Sequence, residues 1–250
     1  MQVAALYRHP IKSHGRESIE SVTLIKGQTM PFDRTWAVTH EATKFDTHTP
    51  QWARCHNFMI GARTPGLAGI WAKLDEESRE LTLTHQSLEP LTFRPDAPDD
   101  VARFLDWVKP LCPEDRAQPT NVVSAGARGM TDCAFPSVSL MNIASHDAVA
   151  AATGGSLDKE RWRGNIWIEG AAAWTEMTWI DRQLHVGETI LTVRMPIDRC
   201  PHPGANPYTG MRDLNLEETL EKHFGHVDFG MHIEVVQGGT VTLGDKVELV

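Results

Sequence analysis

The chain has 250 residues, 41% of them hydrophobic and 23% charged, which allows a sizeable core in one large domain or two small ones and excludes a disordered or fibrous chain. Its formal charge of −9, from 24 basic and 33 acidic residues, repels nucleic acid and anionic membrane, so neither is expected as a partner. No apolar run approaches the roughly 20 residues that span a bilayer. Met1 to Leu6 is followed at once by Arg8, Pro10 and Lys12, unlike a signal peptide, and the expected location is cytoplasmic. The cysteines Cys55, Cys112, Cys133 and Cys200 form no C-x-x-C pair and no zinc or ferredoxin spacing, and are expected as free thiols in a reducing compartment. Eight tryptophans among few aromatics suggest Trp walls in any binding cavity.

In chain order, Val3 to Tyr7, Ser21 to Ile25, Thr35 to His40 and Leu81 to Thr84 read as short strands between turn residues, the pattern of a small β-barrel or open sheet. Val101, Phe104, Leu105 and Val108 share one helical face. Asp99 or Asp100 is expected to cap that helix and Pro110 to end it. The Pro-rich stretches on either side, around Pro90 to Pro98 and Pro113 to Pro119, are compatible with a domain boundary there, with the helix on either side of it. Ala144 to Ala152 reads as a helix stopped at Gly154-Gly155. Asn165 to Ile168 and Thr189 to Val193 read as strands. Leu216, Leu220 and Phe224 mark a third helix, with Asn215 as cap, Glu218 at the capping-box position and Gly225 at the end. Ile233 to Val236 and Val247 to Val250 close the chain as strands.

Four clusters carry chemistry. They are His9-Pro10-Ile11-Lys12-Ser13; Gly27 with Phe32-Asp33-Arg34-Thr35-Trp36; Arg161-Trp162-Arg163-Gly164-Asn165; and Asp198-Arg199-Cys200. Lys12, Arg34, Arg161 and Arg163 offer the cations a phosphorylated ligand needs, while Ser13 and Asn165 offer neutral hydrogen-bond partners. Cys200 offers a soft sulfur, and neighbouring cations are expected to favour its thiolate, the form that ligates metal or attacks. A soft metal carried on a phosphorylated cofactor would use both sets. Each residue also has a plain reading. An Arg or Lys beside a strand is ordinarily solvated; Asp33-Arg34 could be a surface ion pair worth about 0–1 kcal/mol; Cys200 could be packing. His223 and His226 have H-x-x-H spacing, but Gly225 lies between them at a helix end and no third ligand follows, which argues against a zinc site. His202, two residues past Cys200, could line the same site.

Taken in order, the clusters resemble the MOSC superfamily, in the branch that adds an N-terminal MOSC β-barrel domain and includes the mitochondrial amidoxime-reducing component and bacterial reductases of N-hydroxylated compounds. The opening motif stands as His9-Pro10-Ile11-Lys12-Ser13, and the D-R-x-W motif as Asp33-Arg34-Thr35-Trp36. Ser137-Val138-Ser139-Leu140 and Ser145 match the start of the MOSC domain. R-F-R-P-N stands as Arg161-Trp162-Arg163-Gly164-Asn165, and E-x-x-W as Glu176 to Trp179. The cysteine motif stands as Arg199-Cys200 followed by Asn206-Pro207-Tyr208-Thr209-Gly210, and the ending as Phe229-Gly230 with Gly239 to Val247. The match runs over nearly the whole chain. The gap after Gly27 is longer than the family pattern, Pro201-His202-Pro203-Gly204 stands where threonines are common, and Asp198 stands where a small hydroxylated residue is common.

The resemblance implies a β-rich α+β fold: an MOSC N-terminal β-barrel domain over 1–110, packed against an MOSC β-barrel domain over 111–250, with the cofactor between them. It implies a molybdenum cofactor (molybdopterin), with Cys200 as the catalytic thiolate on the metal. Lys12, Ser13, Arg34, Arg163 and Asn165 would hold the pterin and phosphate, with Ser139 and Arg161 in the same shell. The implied activity is an oxidoreductase that removes oxygen from a small N-hydroxylated substrate. Some relatives carry a [2Fe-2S] domain whose cysteines have no counterpart here, so a separate electron-donor protein is expected. Two alternatives use the same thiol: a sulfur carrier with a Cys200 persulfide, and a non-catalytic cofactor-binding protein.

Overall fold

The computed structural model describes residues 1–126 and 128–250. It is strand-rich, with three α-helices among the described residues. The first strands are β1 (Gln2–Arg8), β2 (Glu17–Ile19), β3 (Ser21–Leu24), β4 (Trp36–His40), β5 (Trp71–Leu74), β6 (Leu81–His85) and β7 (Leu88–Phe93). Helix α1 (Pro98–Val108) follows, then β8 (Pro119–Ser124) and β9 (Val138–Asn142). Next come α2 (Ile143–Ala152), β10 (Ile166–Glu169), β11 (Gln183–Val186), β12 (Thr189–Asp198) and α3 (Leu216–Phe224). The chain closes with β13 (Asp228–Gln237), β14 (Gly239–Thr242) and β15 (Val247–Leu249).

The largest sheet has eight strands in the order β15-β11-β12-β13-β9-β10-β1-β2. Its pairings are antiparallel except β9 with β10. The meander β5-β6-β7 forms a second sheet, and the pairs β3-β14 and β4-β8 complete the set. Strands from the first 110 residues therefore hydrogen-bond with later ones at three places: Leu6 opposite Ile166, Val22 opposite Val241, and Val38 opposite Val122. Three cores result. One lies under the large sheet around Leu6, Leu140, Ile166, Leu191 and Ile233. A second packs α1 onto the meander, where Phe104 stacks on Phe93 at 4.8 Å between centroids. A third packs α2 and α3 against Trp162, Trp167 and Phe229. Each such fully buried apolar side chain contributes about 1.5–3 kcal/mol.

Local differences from the sequence reading have physical causes. Helix α1 starts at Pro98, with Ala97 in the cap position and no side-chain cap. Proline suits the first turn because its missing N–H would be unpaired there anyway. Asp100 accepts instead from the Arg94 N–H at 3.0 Å. Asn215 does cap α3, accepting from the Glu218 N–H at 3.3 Å, and Gly225 ends it in the left-handed conformation with φ of 77°. Strand β9 gives no alternating signal because all five of its residues are buried, in a central position between β13 and β10. Strand β12 runs five residues past its expected end, through Pro196. Two irregularities in its pairing with β13, between Val193 and Met195 and between Pro196 and Asp198, accommodate that proline. The extension carries the chain to Cys200. No helix among the described residues is long and apolar enough to cross a membrane.

Candidate functional site

Ile11 is fully buried and bridges to Trp36, with the Lys12 N–H donating to the Trp36 carbonyl at 2.8 Å. This anchors the turn after β1 beside the start of β4 and buries Lys12. Its ammonium donates to the Met130 carbonyl at 2.8 Å and to Asp132 Oδ1 at 2.6 Å. Asp33, also buried, accepts from the His9 N–H at 2.9 Å, contacts His9 Nδ1 at 3.0 Å and pairs with Arg34. Desolvation pushes the Asp33 carboxyl up, but Arg34 and then His9 outweigh it and hold it well below the usual carboxylate range. Burial, then the charges of Arg163 and Arg34, push His9 down to about 3, so its imidazole is neutral and Nδ1–H donates to Asp33.

Arg34 ties the second cluster to the third, donating from Nη2 to the Arg163 carbonyl at 3.0 Å. Arg163 is buried and donates to the Gly15 carbonyl at 3.0 Å and the Ile11 carbonyl at 3.4 Å. Burial, followed by repulsion from Arg34 and Arg16, holds its pKa well below the ordinary arginine value. Arg161 instead forms a two-pronged pair with Asp213, both contacts at 2.8 Å. Asn165 and Ser139 satisfy each other: the serine hydroxyl donates to Asn165 Oδ1 at 2.8 Å and accepts from the Asn165 N–H at 2.9 Å. The Asn165 amide also donates to the Tyr7 carbonyl at 3.2 Å, stitching β9, β10 and β1 together.

Cys200 follows the end of β12. Its neighbour Arg199 donates to the carbonyls of Phe229 and Trp162 and lies beside those two stacked rings, whose centroids are 3.9 Å apart. The Cys200 thiol departs from the sequence expectation. It is exposed to solvent within the cavity, yet enough protein surrounds it that desolvation raises its pKa. The His202 N–H and Arg199 pull it down, and Asp132 adds to the rise. Nearby cations therefore do not by themselves produce the thiolate.

All eight residues singled out from the sequence, Lys12, Ser13, Arg34, Ser139, Arg161, Arg163, Asn165 and Cys200, line a single cavity of about 310 Å³. The surface-residue reading fails for Lys12, Arg161 and Arg163, which are buried. Of the eight tryptophans only Trp162 reaches this wall, while Trp36 and Trp167 belong to the cores. The cavity also holds Cys55, Gly61, Thr131, Asp132, Ser137 and His232, which the motifs did not single out as site residues. Backbone strain marks the wall. Ser13, Arg34 and Arg163 have φ of 63°, 53° and 52°, a left-handed conformation that costs a non-glycine residue about 1–3 kcal/mol. His223 and His226 lie outside this wall, and the described residues contain no group of three or more metal-ligating side chains.

The MOSC domain family model matches residues 132–248, and that of the MOSC N-terminal beta barrel domain matches residues 1–110. The chain belongs to the MOSC family. The MOSC segment supplies Cys200, Arg161, Arg163, Ser139 and Asn165 to the cavity, and the N-terminal segment supplies Lys12, Ser13 and Arg34. MOSC proteins as a family are associated with binding of the molybdenum cofactor. Among solved structures the chain is similar to the YuaD protein from Bacillus subtilis at 12% identity and a TM-score of 0.47, covering 99% of this chain and 94% of that one. It is also similar to YiiM from Geobacillus stearothermophilus at 13% identity and a TM-score of 0.35, covering 45% and 53%. No curated protein matches the chain.

Proposed function

We propose that this MOSC protein is a molybdenum-cofactor-dependent reductase of N-hydroxylated compounds, with Cys200 as the protein ligand to the metal. The observation that carries the reading is the convergence of the exposed Cys200 thiol and five cations, Lys12, Arg34, Arg161, Arg163 and Arg199, on one cavity in a chain of net charge −9. The donor set fits the group. Arg163 and Arg199 donate to backbone carbonyls and have no carboxylate partner among the described residues, leaving positive charge for a phosphate. Arg161 Nε, Thr131 Oγ1 and His232 Nδ1 are buried and make no hydrogen bond among the described residues. A ligand with several acceptors and donors would satisfy them.

When bound, the cofactor supplies two-electron chemistry at a metal that accepts oxygen. The chain supplies the rest. Lys12, Ser13, Arg34 and Arg163 would hold the phosphate and pterin. Ser139 and Asn165, saturated by each other, would act by fixing β9 against β10 so that Arg163 keeps its strained geometry. Arg161, neutralised by Asp213, would orient more than attract. Cys200 would lose its proton on coordination, offsetting the burial that otherwise keeps it a thiol. Electrons would come from a separate donor protein, and the chain would work in the cytoplasm as two family segments meeting near residue 110.

The test is molybdenum content by elemental analysis after expression in a host that makes the cofactor, with wild type and Cys200→Ala side by side. Near-stoichiometric metal in the wild type and a strong loss in the variant are expected, followed by turnover of an amidoxime with a chemical reductant. A wild type without metal, under confirmed cofactor supply, overturns the reading. A mass spectrum showing a Cys200 persulfide in that sample would identify a sulfur carrier instead.

A further inference from the structure

The cavity holds a second thiol that the proposed chemistry does not use. Cys55 lines it together with Cys200, and both are free. Cys55 opens a short 3₁₀ turn, Cys55–Asn57, and is partly solvent-exposed. The segment that carries it is pinned to opposite parts of the wall. On one side the Trp52 indole N–H donates to the Thr131 carbonyl at 2.8 Å, next to Asp132. On the other, Gly61 lies so close to the His202 ring that an added Cβ would stand 1.7 Å from Nδ1. Arg212 then joins the two halves of this side, donating to the carbonyls of Ala62 and Pro201, each at 2.6 Å. Cys55 is thus strung between Thr131 and His202, and Cys200 is two residues from His202. Between His40 and Cys55 the chain forms no strand or helix, and Phe45, Trp52 and Ala53 pack there against a small core of Ala37, Phe58, Val123 and Met130.

We propose that Cys55 and Cys200 are a redox pair that closes across the cavity as a disulfide when no metal occupies Cys200. The step balances with hydrogen peroxide as oxidant. One thiolate attacks the peroxide oxygen, the O–O bond breaks, and a sulfenic acid and water form. The second thiol attacks the sulfenic sulfur, displacing a second water and forming the S–S bond. Two thiols lose two electrons and two protons, and the peroxide takes them up. A disulfide needs its Cα atoms within about 7 Å, so closure requires the Cys55 turn, held at Trp52 and Gly61, to approach Cys200 between those two anchors. The consequence is protective and regulatory: the disulfide shields Cys200 from irreversible oxidation and withholds it from metal until a reductant acts. The pairing concerns the thiols alone and stands whether or not molybdenum is the natural metal.

The experiment treats the full chain, expressed without cofactor supply, with hydrogen peroxide and maps peptides under non-reducing conditions. The expected result is a cross-linked Cys55–Cys200 peptide, loss of two of the four thiols, and full reversal by dithiothreitol. Cys133→Ser should keep the cross-link. Cys55→Ser should lose it and accumulate sulfinic or sulfonic acid on Cys200. The proposal is overturned if Cys200 over-oxidises in the wild type while Cys55 stays a free thiol. It is overturned equally if Cys55 pairs with Cys133, or if neither thiol reacts under conditions that oxidise glutathione.

Discussion

Lys12 Nζ and Asp132 Oδ1 stand 2.6 Å apart in the cavity wall, yet the two side chains are unequally held: 3% of Lys12 is exposed and 64% of Asp132. The ammonium is built into the fold by the Met130 carbonyl, while the carboxylate reaches it from the open side. Desolvation opposes ionisation of Asp132, but Lys12, by charge and hydrogen bond, holds its pKa below the ordinary value. Any anion that approaches Lys12 meets a resident competitor.

Asp132→Asn should therefore raise the affinity of the cavity for inorganic phosphate at low salt. With its carboxylate on the open side, such a pair is worth on the order of 1 kcal/mol, which corresponds to a gain of about fivefold. Lys12→Met should lower it. Isothermal titration on the cofactor-free chain measures both, and equal phosphate binding by wild type and Asp132→Asn would show that the carboxylate does not compete.

Gly61→Ala should distort the site without touching a charged group. The new methyl would fall 1.7 Å from His202 Nδ1, and that ring is itself buried. Either the ring or the 60–62 segment must shift, and overpacking of this kind costs about 1–3 kcal/mol. Thermal unfolding should show a Tm lower by several degrees, with reduced metal retention. An unchanged Tm would mean that the His202 ring can rotate away freely.

The motifs name eight residues that the fold brings to one cavity, because each motif follows or precedes a strand and strand ends are where this fold gathers its chemistry. What the sequence left open was the partner of each charge. Arg161 and Arg163 are two residues apart and look alike, but one meets a carboxylate and the other only carbonyls. That difference depends on Asp213, which lies 52 positions away from Arg161. Asp132, Thr131 and His232 were invisible for the same reason, since nothing local marks them. The thiol prediction failed in sign because charge proximity can be read from a motif, whereas desolvation needs the surrounding walls. Strand β9 was missed because full burial erases alternation.

Arg163→Met tests whether the buried guanidinium serves an anion or only the fold. Its loss leaves the Gly15 and Ile11 carbonyls without their charged donor, a cost of about 1.5–3 kcal/mol for each well-made bond. That destabilisation is expected on either account. The discriminating readout is the rise in Tm on adding phosphate: it should be clear in the wild type, whose buried charge an anion relieves, and absent in the variant. An equal rise in both would remove Arg163 from the proposed anion site.

Stability should fall as the solution is acidified below neutrality, and the sign follows from buried imidazoles. Burial first, then nearby arginines, lower His9 to about 3; burial, and to a lesser degree Arg163, lower His14 to about 4. An unfolded histidine protonates near about 6.5, so below that pH the unfolded chain takes up protons that the folded chain refuses. Each group then removes about 1.4 kcal/mol per pH unit, down to about pH 4 for His14 and about pH 3 for His9. Asp33 acts in the same direction at lower pH. Its folded pKa is depressed, so its contribution is present above the unfolded value of 3.8 and is lost as the pH falls through the folded one. Urea midpoints between about pH 7.5 and about pH 5 should therefore decline steeply. His14→Gln keeps a donor for the Lys12 carbonyl, which His14 Nδ1 contacts at 2.7 Å, but cannot titrate, so it should flatten the slope by about 1.4 kcal/mol per pH unit. A wild-type profile with no slope in this range would mean that both imidazoles accept protons in the folded state, against their burial beside Arg34 and Arg163.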